Sequence, residues 1–121
     1  MDTGASSHMT SEEGKFRHNK PLFSPHFVTV GNGSSIPITR FGNSRLYTND
    51  TSFLLKDVLL VPSLIRNLLS VRKFTRDNSC TIEFDAFGFS VKDLLTRIEI
   101  IRCDSDGDLY TVTLSPSPPL A

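Results

Sequence analysis

Short apolar segments follow one another along this chain, and residues typical of turns separate them. The run from Phe27 to Val30 is rich in β-forming residues and leads into Gly31-Asn32-Gly33, whose members tolerate positive φ. The next run, Ile36 to Thr39, has a two-residue period. Together they predict a β-hairpin with its tip at Gly31 to Gly33. Pro37 cannot donate to a strand ladder, so we expect it at an edge or facing solvent.

The remaining segments predict further short strands and one helix. The apolar stretch from Phe53 to Val61, interrupted only by Lys56-Asp57, is typical of a strand buried on both faces, and Pro62 ends it. Residues 67–77 carry apolar side chains at helical spacing, with Ser70 suited to be the N-cap. Strand patterns recur near residues 81–84, 87–91, 98–100 and 110–114. We therefore predict an all-β fold, a small β-barrel with one short helix.

One domain accounts for nearly all of the 121 residues. We assign residues 1–114 to this barrel and residues 115–121, rich in Pro and Ser, to an extended tail. The strand alternation and the helical segment predict a buried core made of Phe27, Val30, Ile38, Leu59, Leu68, Leu69, Phe74, Ile82 and Phe84.

Charge and cysteine content exclude several classes of protein. Basic and acidic residues balance at 13 each, without the basic surplus of a typical nucleic-acid binder. No apolar run approaches the roughly 20 residues that span a bilayer, and the N-terminus lacks the features of a signal peptide. Cys80 and Cys103 do not suggest a disulfide framework. We expect a cytoplasmic chain with free thiols.

The sequence Asp2-Thr3-Gly4-Ala5-Ser6 is the strongest candidate site. Peptide hydrolysis by paired carboxylates needs two Asp side chains around one water, where the pair shares a proton and supplies both acid and base. The neighbouring hydroxyl of Thr3 can bond to the surroundings of the carboxylate, and Gly4 lets the backbone turn tightly. As a bare tripeptide the motif is weak, because chance matches are common.

The motif belongs to a longer pattern. The sequence from Asp2 to Thr10, DTGASSHMT, resembles the D-[ST]-G-A-[ST]-x-H-[MI] signature of copia-type retrotransposon proteases. Residues 26–37 resemble the hairpin that follows in plant members of this family. Residues 62–71 and 79–84 look like its later core segments. The resemblance covers nearly the whole chain.

This resemblance implies a retropepsin-like barrel acting as an aspartic endopeptidase on the element's own Gag-Pol, within a virus-like particle. Retropepsins are homodimers in which each chain gives one Asp, so the dyad would join Asp2 to the Asp2 of a second chain. The flap that covers an extended peptide would have its tip at Gly31, Asn32 and Gly33. Leu68-Leu69 would be the hydrophobic pair, with Ser70 where retropepsins usually have Gly. No cofactor, nucleic acid or membrane is implied.

Family members carry an apolar strand before the Asp, whereas only Met1 precedes Asp2 here. We therefore expect the N-terminal strand of the domain to be missing and the chain to be inactive alone. Two other hypotheses stay open: a non-catalytic barrel remnant of a degenerate transposon, and a small binding barrel for peptides or nucleic acid.

The histidines and cysteines offer no recognisable metal-ligand spacing, so we expect no metal site. His8 is distinctive of the resembled motif, and we expect a surface or hydrogen-bonded histidine rather than a catalytic one.

Overall fold

The computed structural model describes residues 1, 5–12, 18–29, 33–48, 51–64 and 67–105. Seven strands and one helix lie in this part of the chain, which confirms a mostly β fold with one short helix. The expected strand near residues 110–114 and the tail at 115–121 lie outside it. The elements are β1 (Met9–Thr10), β2 (His18–Thr29), β3 (Ser35–Tyr47), β4 (Ser52–Leu60), α1 (Val71–Asp77), β5 (Cys80–Asp85), β6 (Gly88–Asp93) and β7 (Glu99–Asp104).

The strands form two open sheets, and no closed barrel is seen within the described residues. The first sheet has the order β1-β4-β3-β2, and the second has the order β5-β6-β7. The pairing of β1 with β4 is parallel, whereas the other pairs are antiparallel. Because a parallel pair needs a long connection, β1 brings the start of the chain beside a strand far along the sequence.

The predicted hairpin is confirmed by the pairing of β2 with β3, in which Phe27 lies opposite Pro37. Its outer half extends beyond the sheet, because β3 pairs with β4 only from Arg40 onward. Phe27 is consequently 59% exposed, and the expectation that it belongs to the core is wrong. Pro37 is exposed, as expected.

A bulge explains how β4 keeps its buried apolar side chains on one face. Phe53 and Leu55 are buried before it, and Val58 and Leu60 are buried after it. The step of three between Leu55 and Val58 would change faces in a regular strand, whose side chains alternate. The extra residue lies at Lys56-Asp57, where Asp57 has φ 52 and the pairing register with β3 shifts. The two charged residues therefore interrupt the apolar stretch without moving the buried side chains that follow to the other face.

Helix α1 begins and ends with side-chain hydrogen bonds. Ser70 is the N-cap, as predicted, and its hydroxyl accepts the N–H of Lys73. At the other end, Asn78 holds the helix to β4: its Oδ1 accepts the Leu54 N–H at 2.7 Å, and its Nδ2 donates to the Leu54 carbonyl at 2.9 Å. The C-terminal end of a short helix is therefore fixed to the first sheet.

One core joins the helix to both sheets. The rings of Phe74 and Phe53 lie 4.9 Å apart, and both side chains are buried. Among the residues expected in the core, Leu69 and Phe74 are buried; Ile38, Leu59, Leu68 and Ile82 are partly buried; Val30 lies outside the described residues. Phe84 is 37% exposed near the β5–β6 turn, so its expected burial is wrong. The buried cluster consists of Phe53, Leu55, Val58, Leu69, Phe74, Cys80, Phe89 and Val91.

The second sheet turns a charged face to solvent. Arg102 donates to both carboxylate oxygens of Asp85 at 2.8 Å, and Lys92 lies 2.8 Å from Glu83. The hydrogen bond from Arg102 lowers the pKa of Asp85 to about 2. The apolar side chains of β6 lie on the opposite face, so one face of the sheet packs against the core and the other faces solvent.

Candidate functional site

The predicted site residues lie mostly outside the described part of the chain. This holds for the motif Asp2-Thr3-Gly4 and for Gly31 and Asn32 of the hairpin tip. Gly33 is described: it is exposed, has φ +84, and a Cβ there would meet nothing within 4 Å. The positive φ agrees with a turn at this position. The structure does describe the residues that directly follow the Asp-Thr-Gly motif, from Ala5 onward.

Strand β1 runs between two other segments. Met9 exchanges two backbone hydrogen bonds with Leu68, at 2.9 and 2.8 Å. On the other side, the Leu59 N–H of β4 donates to the His8 carbonyl at 2.9 Å. A two-residue strand with partners on both sides has its backbone groups paired. The chain that leaves the motif is thereby fixed within the first sheet.

Ser70 forms hydrogen bonds with two residues of the segment that follows the motif. Its side chain is fully buried, and its hydroxyl donates to the Ala5 carbonyl at 2.8 Å. Its backbone N–H donates to Nδ1 of His8 at 3.0 Å. The same hydroxyl accepts the Lys73 N–H at 3.3 Å. The hydroxyl and the backbone N–H of one buried residue therefore link the start of α1 to both ends of residues 5–8.

A second link joins the same segments closer to solvent. The Thr10 hydroxyl donates to Oδ1 of Asn67 at 3.0 Å, and the Ser11 N–H reaches the same oxygen at 3.2 Å. The Glu12 N–H donates to the Thr10 hydroxyl at 3.1 Å. These bonds hold the C-terminal end of β1 against the residues that precede α1.

His8 is held neutral by its surroundings. Its side chain is only 1% exposed, and among the described residues its Nε2 has no hydrogen-bond partner. Burial and the nearby positive charge of Lys73 lower the pKa of His8 from 6.5 to about 4, against an opposing effect of Asp77. Because Nδ1 accepts a hydrogen bond, the proton of the neutral ring is on Nε2. The expected hydrogen-bonded histidine is confirmed, and it is buried.

The described residues hold no cluster of three His, Cys, Asp or Glu side chains suited to a metal ion. Both cysteines are free. Burial raises the pKa of the Cys80 thiol to about 11 and that of Cys103 above its usual value. Neither thiol has the lowered pKa of a reactive cysteine. The described part of the chain also contains no helix with the length and hydrophobicity of a membrane span.

Sequence reasoning identified Ser70 as a helix cap and as the residue after the hydrophobic pair, but not as the anchor of Ala5. The sequence feature that pointed to Ser70 was its position directly after Leu68-Leu69, the hydrophobic pair implied by the resemblance. The hydrogen bond between Ser70 and Ala5 joins residues 65 positions apart, and no local sequence pattern predicts such a contact.

These features define a class of protein: a mostly β domain in which Ala5, His8 and β1 are hydrogen-bonded to the residues around the start of α1 and to β4. Residues 1–79 match the family described as "Pol polyprotein, beta-barrel domain". The chain therefore belongs to the Pol polyprotein beta-barrel domain family.

Relatives from a plant carry the same segment. The chain is 33% identical over 117 residues, 97% of its length, to the retrovirus-related Pol polyprotein from transposon RE2 of Arabidopsis thaliana. It is 31% identical over all 121 residues to the corresponding polyprotein from transposon RE1 of the same plant. In each case it spans 8% of the length of the relative. No solved structure matches the chain.

Proposed function

We propose that this chain is the aspartic endopeptidase domain of a retrotransposon polyprotein and cleaves the element's own Gag-Pol. The observation that supports this most directly is the attachment of Ala5 to the buried Ser70 at 2.8 Å. Ala5 comes directly after Asp2-Thr3-Gly4. A working carboxylate must be held to about half an ångström by a packed supporting shell, and the residues after the motif have such support.

The proposed chemistry requires two copies of the chain. The motif occurs once in the sequence, whereas the reaction needs two carboxylates that share one proton. Asp2 of each chain would supply one member of the pair, and the pair would activate water to attack the scissile carbonyl. No metal ion enters this mechanism.

The hairpin of β2 and β3 suits the binding of an extended peptide. Its outer half extends beyond the sheet and exposes Phe27. An extended substrate could pair with exposed backbone as an added strand, while side-chain pockets would give specificity. Gly31, Asn32 and Gly33 at the predicted tip would lie over the substrate as the flap.

The test is cleavage of a peptide library covering the Gag-Pol junctions, with and without pepstatin. Asp2→Asn should abolish pepstatin-sensitive cleavage, whereas Glu99→Gln, which removes a charge from an exposed position of β7, should leave it unchanged. Specific activity should rise with protein concentration, because the dyad forms only in the dimer. The same assay is run on a longer version that includes the preceding polyprotein residues. Cleavage that survives Asp2→Asn would refute the assignment of the dyad.

A non-catalytic role is the competing proposal. The matching family is described as a barrel domain, and the description names no reaction. In that case the domain would serve only as a folded unit of the polyprotein. Absence of pepstatin-sensitive cleavage from both lengths of the protein, with normal folding, would favour this alternative.

A further inference from the structure

His8 is a buried polar side chain for which the aspartic mechanism has no use. Its ring is 1% exposed, and its Nδ1 accepts the Ser70 N–H at 3.0 Å. Within the described residues, Nε2 has no hydrogen-bond partner. Burying a polar ring without satisfying both nitrogens is costly. A leucine would fill similar space without this cost, so the contact through Nδ1 needs an explanation.

The contact through Nδ1 depends on a neutral ring. A protonated imidazole carries a donor on both nitrogens, so an Nδ1–H would face the Ser70 N–H and the bond would be lost. The charged groups acting on the ring come from α1: Lys73 disfavours the cation, and Asp77 favours it. The ring therefore acts as a fixed acceptor and not as a proton carrier.

Ser70 connects His8 to Ala5, the residue that follows the candidate catalytic motif. The Ser70 N–H donates a hydrogen bond to His8, and the hydroxyl of the same residue donates to the Ala5 carbonyl at 2.8 Å. Both partners lie within four residues of each other, on the loop that leads from Gly4 into β1. The loop is thus held at Ala5 and at His8 by one fully buried serine.

We propose that His8 is a positioning residue, whose Nδ1 fixes Ser70 so that the Ser70 hydroxyl holds Ala5, the residue that directly follows the Asp2-Thr3-Gly4 motif. The kinetic consequence rests on the proposed function, because it requires a reaction at Asp2. The positioning itself can be measured in a protein without activity.

Two matched substitutions separate the nitrogens of His8. Asn places its Oδ1 where the imidazole has Nδ1, whereas the amide of Gln reaches toward the position of Nε2. Hydrogen exchange of the Ser70 amide reports the bond directly. We expect protection to be retained in His8→Asn and to fall about ten-fold in His8→Gln, as for the loss of one buried hydrogen bond.

A spectroscopic measurement needs no substitution. Nitrogen–proton correlation spectra of the imidazole at pH 7 should place the proton on Nε2 and leave Nδ1 unprotonated. A structural filler without a directed hydrogen bond would not require this tautomer. An Nδ1–H tautomer in the unaltered protein would overturn the proposal, whatever the substituted proteins do.

Kinetics then test the link to catalysis. His8→Gln should lower kcat by roughly 100-fold, the effect of a small misplacement of a reacting group, with KM within about two-fold, whereas His8→Asn should restore most of kcat. In a Ser70→Ala background the change to Gln should cost much less, because both act through the same hydroxyl. Equal kcat in the Asn and Gln proteins would overturn the proposal. If no form cleaves peptide, the proposed function fails, and the exchange and tautomer results still decide the role of His8.

Discussion

The buried His8 should make the stability of this domain depend on pH between 4 and 6.5. The folded state holds the ring neutral, with its pKa lowered by burial to about 4, whereas the unfolded chain takes up a proton near pH 6.5. Between these values the unfolded state binds more protons than the folded state, so stability falls as the pH falls. Above pH 6.5 and below pH 4 this contribution is constant. His8→Asn removes the titrating ring and keeps an acceptor near the Ser70 N–H.

The size of this effect follows from the lowered pKa. A difference of one pKa unit between folded and unfolded states is worth about 1.4 kcal/mol, so a fall from 6.5 to about 4 corresponds to roughly 3 kcal/mol. Residual solvent screening reduces this value, and we expect ~2 kcal/mol. Since a small domain has only about 5–15 kcal/mol of stability in total, the change is large enough to measure.

The assay is urea unfolding, followed by far-UV circular dichroism at pH 7, 6, 5 and 4. The unaltered protein should lose ~2 kcal/mol more than His8→Asn across this range. His26→Asn, a change at an exposed histidine of β2, is the control and should keep the full pH dependence. If His8→Asn loses stability as steeply as the unaltered protein, the ring is not held neutral and the reasoning is refuted.

Three further predictions concern the rest of the fold. Gly88→Ala should destabilise by about 3 kcal/mol or more, because its Cβ would overlap the Cys103 carbonyl oxygen. Gly33→Ala, at positive φ but in open space, should cost only ~1–2 kcal/mol, and equal losses in urea unfolding would contradict this. Phe74→Ala should cost about 3–5 kcal/mol by the same assay, since the ring is 1% exposed, and a loss below ~1 kcal/mol would place it outside the core. Cys80, 3% exposed and with its pKa raised to about 11, should react with an alkylating reagent at pH 8 only after unfolding, and mass spectrometry would detect any earlier labelling.

Two parts of the candidate site could be inferred from sequence, the helix cap and the motif, because each is a local pattern. Ser70 was identifiable as a helix cap since a hydroxyl just before an apolar helical pattern accepts an N–H of the first turn, and it does so here. The resemblance around Asp2 indicated a retrotransposon Pol polyprotein, and the family match confirms this level of the assignment. The protease identity stays a prediction. The assignment of the dyad and the flap stays a prediction.

Burial was harder to infer, because alternation defines the two faces of a strand without saying which of them is covered. Phe27 alternates correctly within its hairpin, yet the hairpin extends past the neighbouring strand and leaves the ring 59% exposed. Lys56-Asp57 looked like an interruption of a buried strand. In the structure these residues form the bulge that keeps the apolar face of β4 continuous.

The sequence by itself determined the elements of this protein: a hairpin around a glycine turn, a capped helix, short alternating strands and a family motif. These depend on interactions between residues a few positions apart. Only the tertiary structure decided that His8 and Ala5 meet Ser70, which lies 62 and 65 positions away along the chain. That meeting requires β1 to enter between β4 and Leu68. Contacts of this kind are set by the packing of whole segments, which minimises unpaired backbone groups and exposed apolar surface together.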